Sequence, residues 1–322
     1  MSESSAQGSA VPHTPQRTAA IVVTHEPDFG LFSRVLKALA PQCQVIVVDN
    51  GSSDEVLAQV TVLVEQQAAA SLLELRENTG IAHAQNAGIR QALAARPTIE
   101  FVLTLDHDSV VPEDFVNRLQ REFDSHDKAL RLAAVGPTLI DPRVNAPIGF
   151  QRRRGPFWSR FTPVPGQPGM EVDGLNSSGS LISVRALRET GLFESGFFID
   201  HVETEWCFRA KSRGYRLWGS FETSMEHRMG DDATTFWFFG RRVWPYRSPR
   251  RHYFIFRNSL ALQRRPYVPG VWKLWNLAKL ALTFIVFGSF AVDAAEQRRQ
   301  MRAGLRDGWK SPPVRLRDED CL

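Results

Sequence analysis

The stretch "FVLTLDHDSVVP", residues 101–112, carries a short apolar run straight into two aspartates one residue apart. A continuous run rich in Val and Leu reads as a strand covered on both faces, and Asp, Ser and Pro after it mark its end. Two carboxylates placed there repel each other unless a cation lies between them, and hard divalent ions such as Mg²⁺ or Mn²⁺ take such oxygen ligands. Taken alone, the same letters spell a solvated turn. The surrounding chain has to decide.

Upstream, "AAIVVT" (19–24), "CQVIVVD" (43–49) and "SLLEL" (71–75) repeat the buried-strand pattern that "EFVLTLD" (100–106) completes. Between them "FGLFSRVLKAL", "SDEVLAQVTVLVEQQ" and "GIAHAQNAGIRQALAA" carry helical spacing. The alternation predicts an α/β fold, a doubly wound, mostly parallel sheet flanked by helices, with ligands beyond the carboxyl ends of the strands. At those ends stand Thr24 and His25, then "DNGSSD", "RENTGIAHAQNAG" and "DHDS". Four polar clusters on one edge point to a nucleotide pocket. No G-X-G-X-X-G follows the first strand and there is no Walker A lysine, so a diphosphate here would have to be neutralised by an Asp-X-Asp metal.

With 322 residues, 43% hydrophobic and 23% charged, the chain can bury a large core. Its three cysteines, Cys43, Cys207 and Cys321, have neither zinc-site nor disulfide-scaffold spacing, which suits a reducing cytosol. The opening "MSESSAQGSAVPHTPQR" reads as a disordered polar tail over residues 1–17, without the apolar segment of a signal peptide. Net charge is only +4, yet "QRRRGPFWSRF", "RRVWPYRSPRR" and "RRQMRAGLR" mix arginine with aromatic and apolar residues. Such patches suit diphosphates or anionic lipid; nucleic acid is not expected, because it would leave the acidic cluster unexplained.

The ordered set "VVTHEPD", "VIVVDNGSSD", "RENTGIAHAQNAGI", "LTLDHDS", "NSSGSLISVRALRETGLFESGFFID", "ETEWCFRAKSRGY" and "MEHRMGD" resembles the motifs of inverting family-2 glycosyltransferases with a GT-A fold. Within that family it is similar to bacterial rhamnosyltransferases that use dTDP-L-rhamnose. The resemblance spans residues 18 to about 260. It implies a nucleotide-sugar donor, a divalent metal (Mg²⁺ or Mn²⁺), and a glycan or lipid-linked glycan acceptor on a growing cell-surface polysaccharide.

Carried over by position, the resemblance puts Thr24, Asp49, Asn78 and Gly80 at the donor nucleotide, and Asp106, Asp108 and His227 at the metal, with Asp106 also near the ribose. Ser178 and Gly179 would lie beside the donor sugar, and Arg257, next to Asn258, would clamp the diphosphate. Glu203 would be the catalytic base, at a position where many relatives carry Asp. Asp200 and Glu205 remain rival acids, and on one helix Glu203 and Glu205 face different ways. Trp206 reads as acceptor-pocket wall or core, and Glu205 also as a first-turn acid favoured by the helix dipole.

Residues 18–262 are thus expected to form the GT-A domain and 263–322 a C-terminal helical segment. In "VWKLWNLAKLALTFIVFGSFAV" (271–292), Lys273 and Lys279 interrupt the apolar run, which argues for an interfacial amphipathic helix over a simple span. The face carrying Trp272, Trp275, Leu282 and Phe287 would contact the cytoplasmic side of the membrane, aided by Arg298, Arg299 and Arg302; packing on the protein's own core or in a homo-oligomer is the competing reading. Functional alternatives are another nucleotide sugar on the same fold, a nucleotidyltransferase, or a nucleotide-sugar binding module without catalysis. The nucleotidyltransferase would need a glycine-rich basic loop that "VVTHEPDFG" lacks.

Overall fold

The computed structural model describes residues 17–143, 145–227, 233–237, 241–310 and 320–322. Residues 1–16 of the expected tail lie outside the described residues. Arg17 belongs to the fold instead: its guanidinium meets Asp124 at 2.7 Å and Glu100 at 2.8 Å.

The strands are β1 (Thr18–Thr24), β2 (Gln44–Asp49), β3 (Ala70–Glu74), β4 (Phe101–Asp106), β5 (Leu132–Asp141), β6 (Ala146–Ile148), β7 (Phe150–Arg154), β8 (Phe157–Phe161), β9 (Gly169–Val172), β10 (Ser180–Ser183), β11 (Arg216–Glu226), β12 (Ala233–Trp237) and β13 (Arg241–Pro245). The helices are α1 (Phe29–Leu39), α2 (Asp54–Glu65), α3 (Ile81–Ala95), α4 (Phe115–Leu130), α5 (Val184–Thr190), α6 (Val202–Ser212), α7 (Pro249–Gln263), α8 (Gly270–Phe290) and α9 (Ala294–Lys310).

The central sheet runs β3-β2-β1-β4-β10-β5-β11-β9, with β6 pairing on β5. Pairings among β1 to β4, and between β5 and β11, are parallel; β10 is antiparallel to both its neighbours, and β9 to β11. Every residue of β1 is buried, as its unbroken apolar run requires of a strand covered on both faces. One face of the sheet packs on α1, α2 and α4 through Phe32, Leu36, Val60 and Phe115, the other on α3, α5 and α6 through Ile89, Leu187 and Phe208. Helix α1 shows the sequence logic: Asp28 caps it by accepting from the Leu31 amide, and Phe32, Val35, Leu36 and Leu39 form the buried stripe at helical spacing.

The chain winds outward from β1 to β3 and then returns to place β4 on the other side of β1, so the carboxyl ends of β1, β2 and β4 lie side by side at the reversal point. Register makes them level, since Thr24 pairs with Asp49 and Val23 with Asp106.

Helix α7, capped by Ser248 and started by Pro249, packs along α9. The helices approach so closely that a Cβ at Gly304 would lie 2.4 Å from the Tyr253 carbonyl oxygen. Phe256, Leu280, Phe287 and Met301 close a separate core between α7, α8 and α9, so the helical unit is continuous with residues 249–262. Helix α8 spans 21 residues with a mean hydropathy of 1.3, long and apolar enough to cross a membrane by length and composition. Trp272, Asn276, Leu280, Thr283 and Phe287 are nevertheless buried against the protein itself. This divides the apolar face expected from the sequence: Trp272 and Phe287 are core residues, and Leu282 stays outside with Leu274, Leu277 and Ile285.

Candidate active site

Beyond the ends of β1 and β2, Thr24 and Asp49 are buried and joined, the Thr24 hydroxyl donating to Asp49 Oδ2 at 3.2 Å. Asp49 also accepts from the Ser52 amide at 3.0 Å and its hydroxyl at 2.6 Å, which folds "DNGSSD" back on itself. Gly51 must be glycine: its φ is +79° and a Cβ would sit 2.4 Å from the Glu77 carbonyl carbon. The neighbouring loop is held by amides, Asn50 Nδ2 donating to Asn78 Oδ1 at 3.2 Å and the Gly80 amide donating to the same oxygen at 3.1 Å. Thr24, Asp49, Asn78 and Gly80 therefore meet on one edge. Asn50, inside a motif quoted for its turn, is a structural partner the sequence reading had passed over.

Asp106, Asp108 and His227 converge, with one ligand atom from each lying within 4.8 Å of the others. His227 follows the end of β11 and is fixed there by its amide donating to the Ile140 carbonyl at 3.0 Å. Its Nδ1 lies 2.9 Å from the hydroxyl of Ser109, which is fully buried. The Ser178 hydroxyl accepts from the Asp106 amide at 3.1 Å and donates to Ser109 Oγ at 3.0 Å, and Ser109 Oγ donates to Asp108 Oδ1 at 3.3 Å. Ser109 has one proton to give; with that proton assigned to Asp108, the 2.9 Å contact with His227 is made by Nδ1–H as donor. The lone pair is then on Nε2, the tautomer a metal ligand needs. Two carboxylates and an imidazole suit Mn²⁺ or Mg²⁺ with coordination positions left open. Burial pushes Asp106 above the usual carboxylate range and Asp108 adds to this, while His227 opposes it.

This chain of hydroxyls changes the reading of "NSSGS". Ser178 is buried and supports the acidic pair from behind, in place of approaching a sugar. Gly179 is buried too: its φ is +85° and a Cβ would meet Met225 Sδ at 2.4 Å, so close packing demands the glycine. Ser109 stood in "DHDS" without a role; only the fold reveals that it faces residue 227.

Glu203 opens α6, and with Thr104, Asn176, Ser177 and Cys207 it lines a small cavity. Its carboxyl is pushed up to about 7, chiefly by burial, with Asp200 and Asp106 raising it further and its own backbone amide and Arg251 opposing. Asp200 is held in a fork by Arg251, Nε to Oδ2 at 3.0 Å and Nη2 to Oδ1 at 3.3 Å. Arg251 is thus the arginine that acts on these acids.

Arg257 is not free to clamp a phosphate as expected. Its Nη2 donates to the carbonyls of Gly196 at 2.7 Å and Phe197 at 3.1 Å, and its Nε to Asn258 Oδ1 at 3.0 Å. Glu205, a rival for the base or an acceptor residue, is a core acid instead, and Trp206, read as pocket wall or core, is buried while also lining the small cavity beside Glu203. Glu205 is fully buried and bonded by Arg209 at 2.8 and 2.9 Å and by the Tyr267 hydroxyl. Burial alone would raise its carboxyl, yet Arg209 and Tyr267 hold it below the ordinary range. Trp206 is 2% exposed and its indole donates to the Gly191 carbonyl at 3.0 Å.

Known proteins fit this geometry. Residues 21–166 match the family model for glycosyl transferase family 2. The dTDP-rhamnosyl transferase RfbF of Shigella flexneri is 28% identical over 253 residues, 78% of this chain and 81% of that protein. Staphylococcus aureus TarS 1–349, solved in complex with UDP-GlcNAc, superposes with a TM-score of 0.56 at 17% identity, covering 91% of this chain and 80% of that one. The mannosyltransferase PcManGT from Pyrobaculum calidifontis, solved with GDP-Man and Mn²⁺, gives a TM-score of 0.55 at 17% identity over 94% and 78% of the two chains. This chain is therefore a glycosyltransferase of GT-A fold, similar over residues 21–166 to glycosyl transferase family 2.

Proposed function

We propose that the enzyme transfers L-rhamnose, with inversion, from dTDP-L-rhamnose to a hydroxyl of a growing cell-surface glycan at the cytoplasmic face of the membrane. The observation that carries the reading is a metal-type cluster, Asp106, Asp108 and His227, with a buried carboxyl, Glu203 of α6, near enough to Asp106 to be raised by it, toward about 7. A divalent cation bound at that cluster would balance the donor diphosphate and stabilise negative charge on the departing nucleotide. Thr24, Asp49, Asn78 and Gly80 would hold the nucleoside on the adjoining edge. Glu203 would accept the proton of the acceptor hydroxyl as that oxygen bonds to the anomeric carbon, while the carbon–oxygen bond to the diphosphate breaks on the opposite face. One displacement from behind inverts the centre. The likeness to the Shigella dTDP-rhamnosyl transferase favours dTDP-L-rhamnose as the donor, while the glycan or lipid-linked glycan acceptor is what the motif resemblance implies.

The same reading extends to the membrane. Leu274, Leu277, Leu282 and Ile285 share the outer face of α8, at 44% exposure or more, and the arginines of α9 lie beside it: Arg302 stands over the Phe284 ring at 5.8 Å. An apolar stripe bordered by guanidiniums suits an anionic lipid surface and a peripheral attachment. The deciding experiment is a screen of nucleotide sugars with Mn²⁺, read as nucleoside diphosphate release in the presence of lipid-linked acceptor. dTDP-L-rhamnose should be turned over fastest; faster use of UDP-GlcNAc or GDP-Man would replace the sugar, and equal rates in excess EDTA would remove the metal.

A further inference from the structure

The segment that joins the donor edge to α6 is bent in an unusual way. Phe198, Asp200 and His201 all have positive φ, at 62°, 62° and 65°, and none is glycine. Phe198, with ψ −65°, centres a γ-turn of the rarer, strained hand, closed by the Ile199 amide donating to the Phe197 carbonyl at 2.7 Å. Such strain persists only where neighbours over-determine it.

The neighbour here is Asn258 of α7, which is 1% exposed. Its Nδ2 lies within hydrogen-bonding distance of three carbonyls of the bend, Phe197 at 2.9 Å, Ile199 at 2.8 Å and Asp200 at 2.9 Å, its two protons being shared among them. The orientation of the amide is not arbitrary, because Arg257 Nε–H donates to Asn258 Oδ1 at 3.0 Å and so turns the nitrogen toward the bend. The other side of the bend meets the donor edge: the Phe198 carbonyl accepts from the Ile81 amide at 2.7 Å, and a Cβ at Gly80 would lie 2.6 Å from the Phe198 ring. Asp200, at its end, lies three residues before Glu203.

We propose that Asn258 is a positioning residue for transfer: by gathering the carbonyls of residues 197, 199 and 200 it holds the strained bend, and through it sets Glu203 and Asp200 against the donor pocket. The proposal rests on the reading of Glu203 as base. Its chemistry is specific, since an aspartate at 258 has the same shape but carries no N–H and turns a negative charge toward three carbonyl oxygens.

The test uses full-length protein and three readouts: dTDP binding with Mn²⁺ by calorimetry, dTDP release from dTDP-L-rhamnose at saturating lipid-linked acceptor, and amide hydrogen exchange. Asn258→Asp should lower kcat at least 100-fold, leave the Kd for dTDP within threefold, and speed exchange at Ile199 and His201 while the amides of β1 and β4 keep their protection. Asn258→Ser, small and retaining one donor, should fall about tenfold with the same selectivity and serves if the aspartate variant does not fold. Turnover within threefold of the wild type in both variants would overturn the proposal. Equal losses of turnover, dTDP binding and sheet protection would also overturn it, by reducing Asn258 to a general structural residue. Glu203→Gln, run in parallel, judges the base separately: wild-type turnover there would sink the base assignment, while the exchange at 197–201 still reports on Asn258.

Discussion

Removing one buried hydroxyl gives a sharp test of the metal cluster. Ser109 receives Nδ1–H of His227 and the hydroxyl proton of Ser178, and gives its own to Asp108, so Ser109→Ala breaks three hydrogen bonds while taking away one oxygen. Each buried donor left without an acceptor costs roughly 1–3 kcal/mol, and Ser178 can recover part of this by rotating its hydroxyl. The imidazole cannot: without an acceptor at Nδ1 nothing selects the tautomer that frees Nε2. Loss of such outer partners typically weakens metal binding by about 10–100-fold, or roughly 1.4–2.7 kcal/mol. Mn²⁺ titration of the apo protein by calorimetry should show that drop, and transfer activity should return at a correspondingly higher Mn²⁺ concentration. Because Ser109 touches no substrate in the reading above, the maximal rate at saturating metal should stay within about threefold of the wild type. An unchanged Mn²⁺ affinity would refute the tautomer argument, and a rate that no metal concentration restores would refute the claim that Ser109 acts through the metal ligands.

Glu203→Gln should retain dTDP binding and lose transfer, and in the metal-free protein the Glu203 carboxyl, followed by carbon-13 NMR, should titrate near the value of about 7 that its burial dictates. Since the group must be ionised to accept a proton, kcat/KM should rise with pH along that limb, and a titration near the ordinary value of about 4.3 would contradict the burial argument. Glu205→Gln should lower stability by roughly 3–5 kcal/mol, about 4–7 °C in Tm, because it strands a buried arginine. As the folded pKa of Glu205 lies below the unfolded one, its stabilisation is full well above the unfolded value of about 4.3 and is lost as the pH falls from there through the folded pKa, so the wild type and the mutant should converge in acid; a constant gap would refute the ion pair as the cause. Replacing Leu277, Leu282 and Ile285 together by serine should abolish flotation with anionic liposomes at low salt, whereas persistence of binding would move the contact elsewhere.

Much of this architecture is written in local pattern, and the part that is not has a physical cause. Strands β1 to β4 and their polar ends were legible because burial on both faces forces continuous apolar runs, and parallel winding then sends every strand end to one edge. The same winding places Asp106 and Asp108 at that edge. Glu205 and Arg257 misled, and Trp206 stayed open between pocket wall and core, because each sits where the chain's motifs converge, and a one-dimensional pattern does not distinguish a side chain facing the pocket from one facing the other way on the same helix. Glu203 and Glu205 make the point within two residues: one lines a small cavity beside Thr104 and Ser177 and is destabilised as an anion by burial, the other turns into the core and is stabilised as one by Arg209. The sequence contains both acids with equal plainness; only the packing of α6 against Tyr267 decides which of them is held for structure.

The C-terminal helices were the hardest to assign, because apolar composition is common to a core face and a membrane face. The structure splits α8 by neighbours: Trp272, Asn276 and Phe287 point into the protein, and Asn276 Nδ2 donates to the Ser259 hydroxyl at 3.3 Å, a hydroxyl that also lies 3.0 Å from His201 Nε2. Helix α7 is therefore bonded on one side to the helix with the lipid-type face and on the other to the bend before Glu203. Attachment through α8 and positioning through α7 would then be mechanically joined, which gives a consequence to check: vesicle binding should slow hydrogen exchange at residues 197–201 as well as on α8. Protection confined to α8 would show that the two roles share a helical bundle without influencing each other.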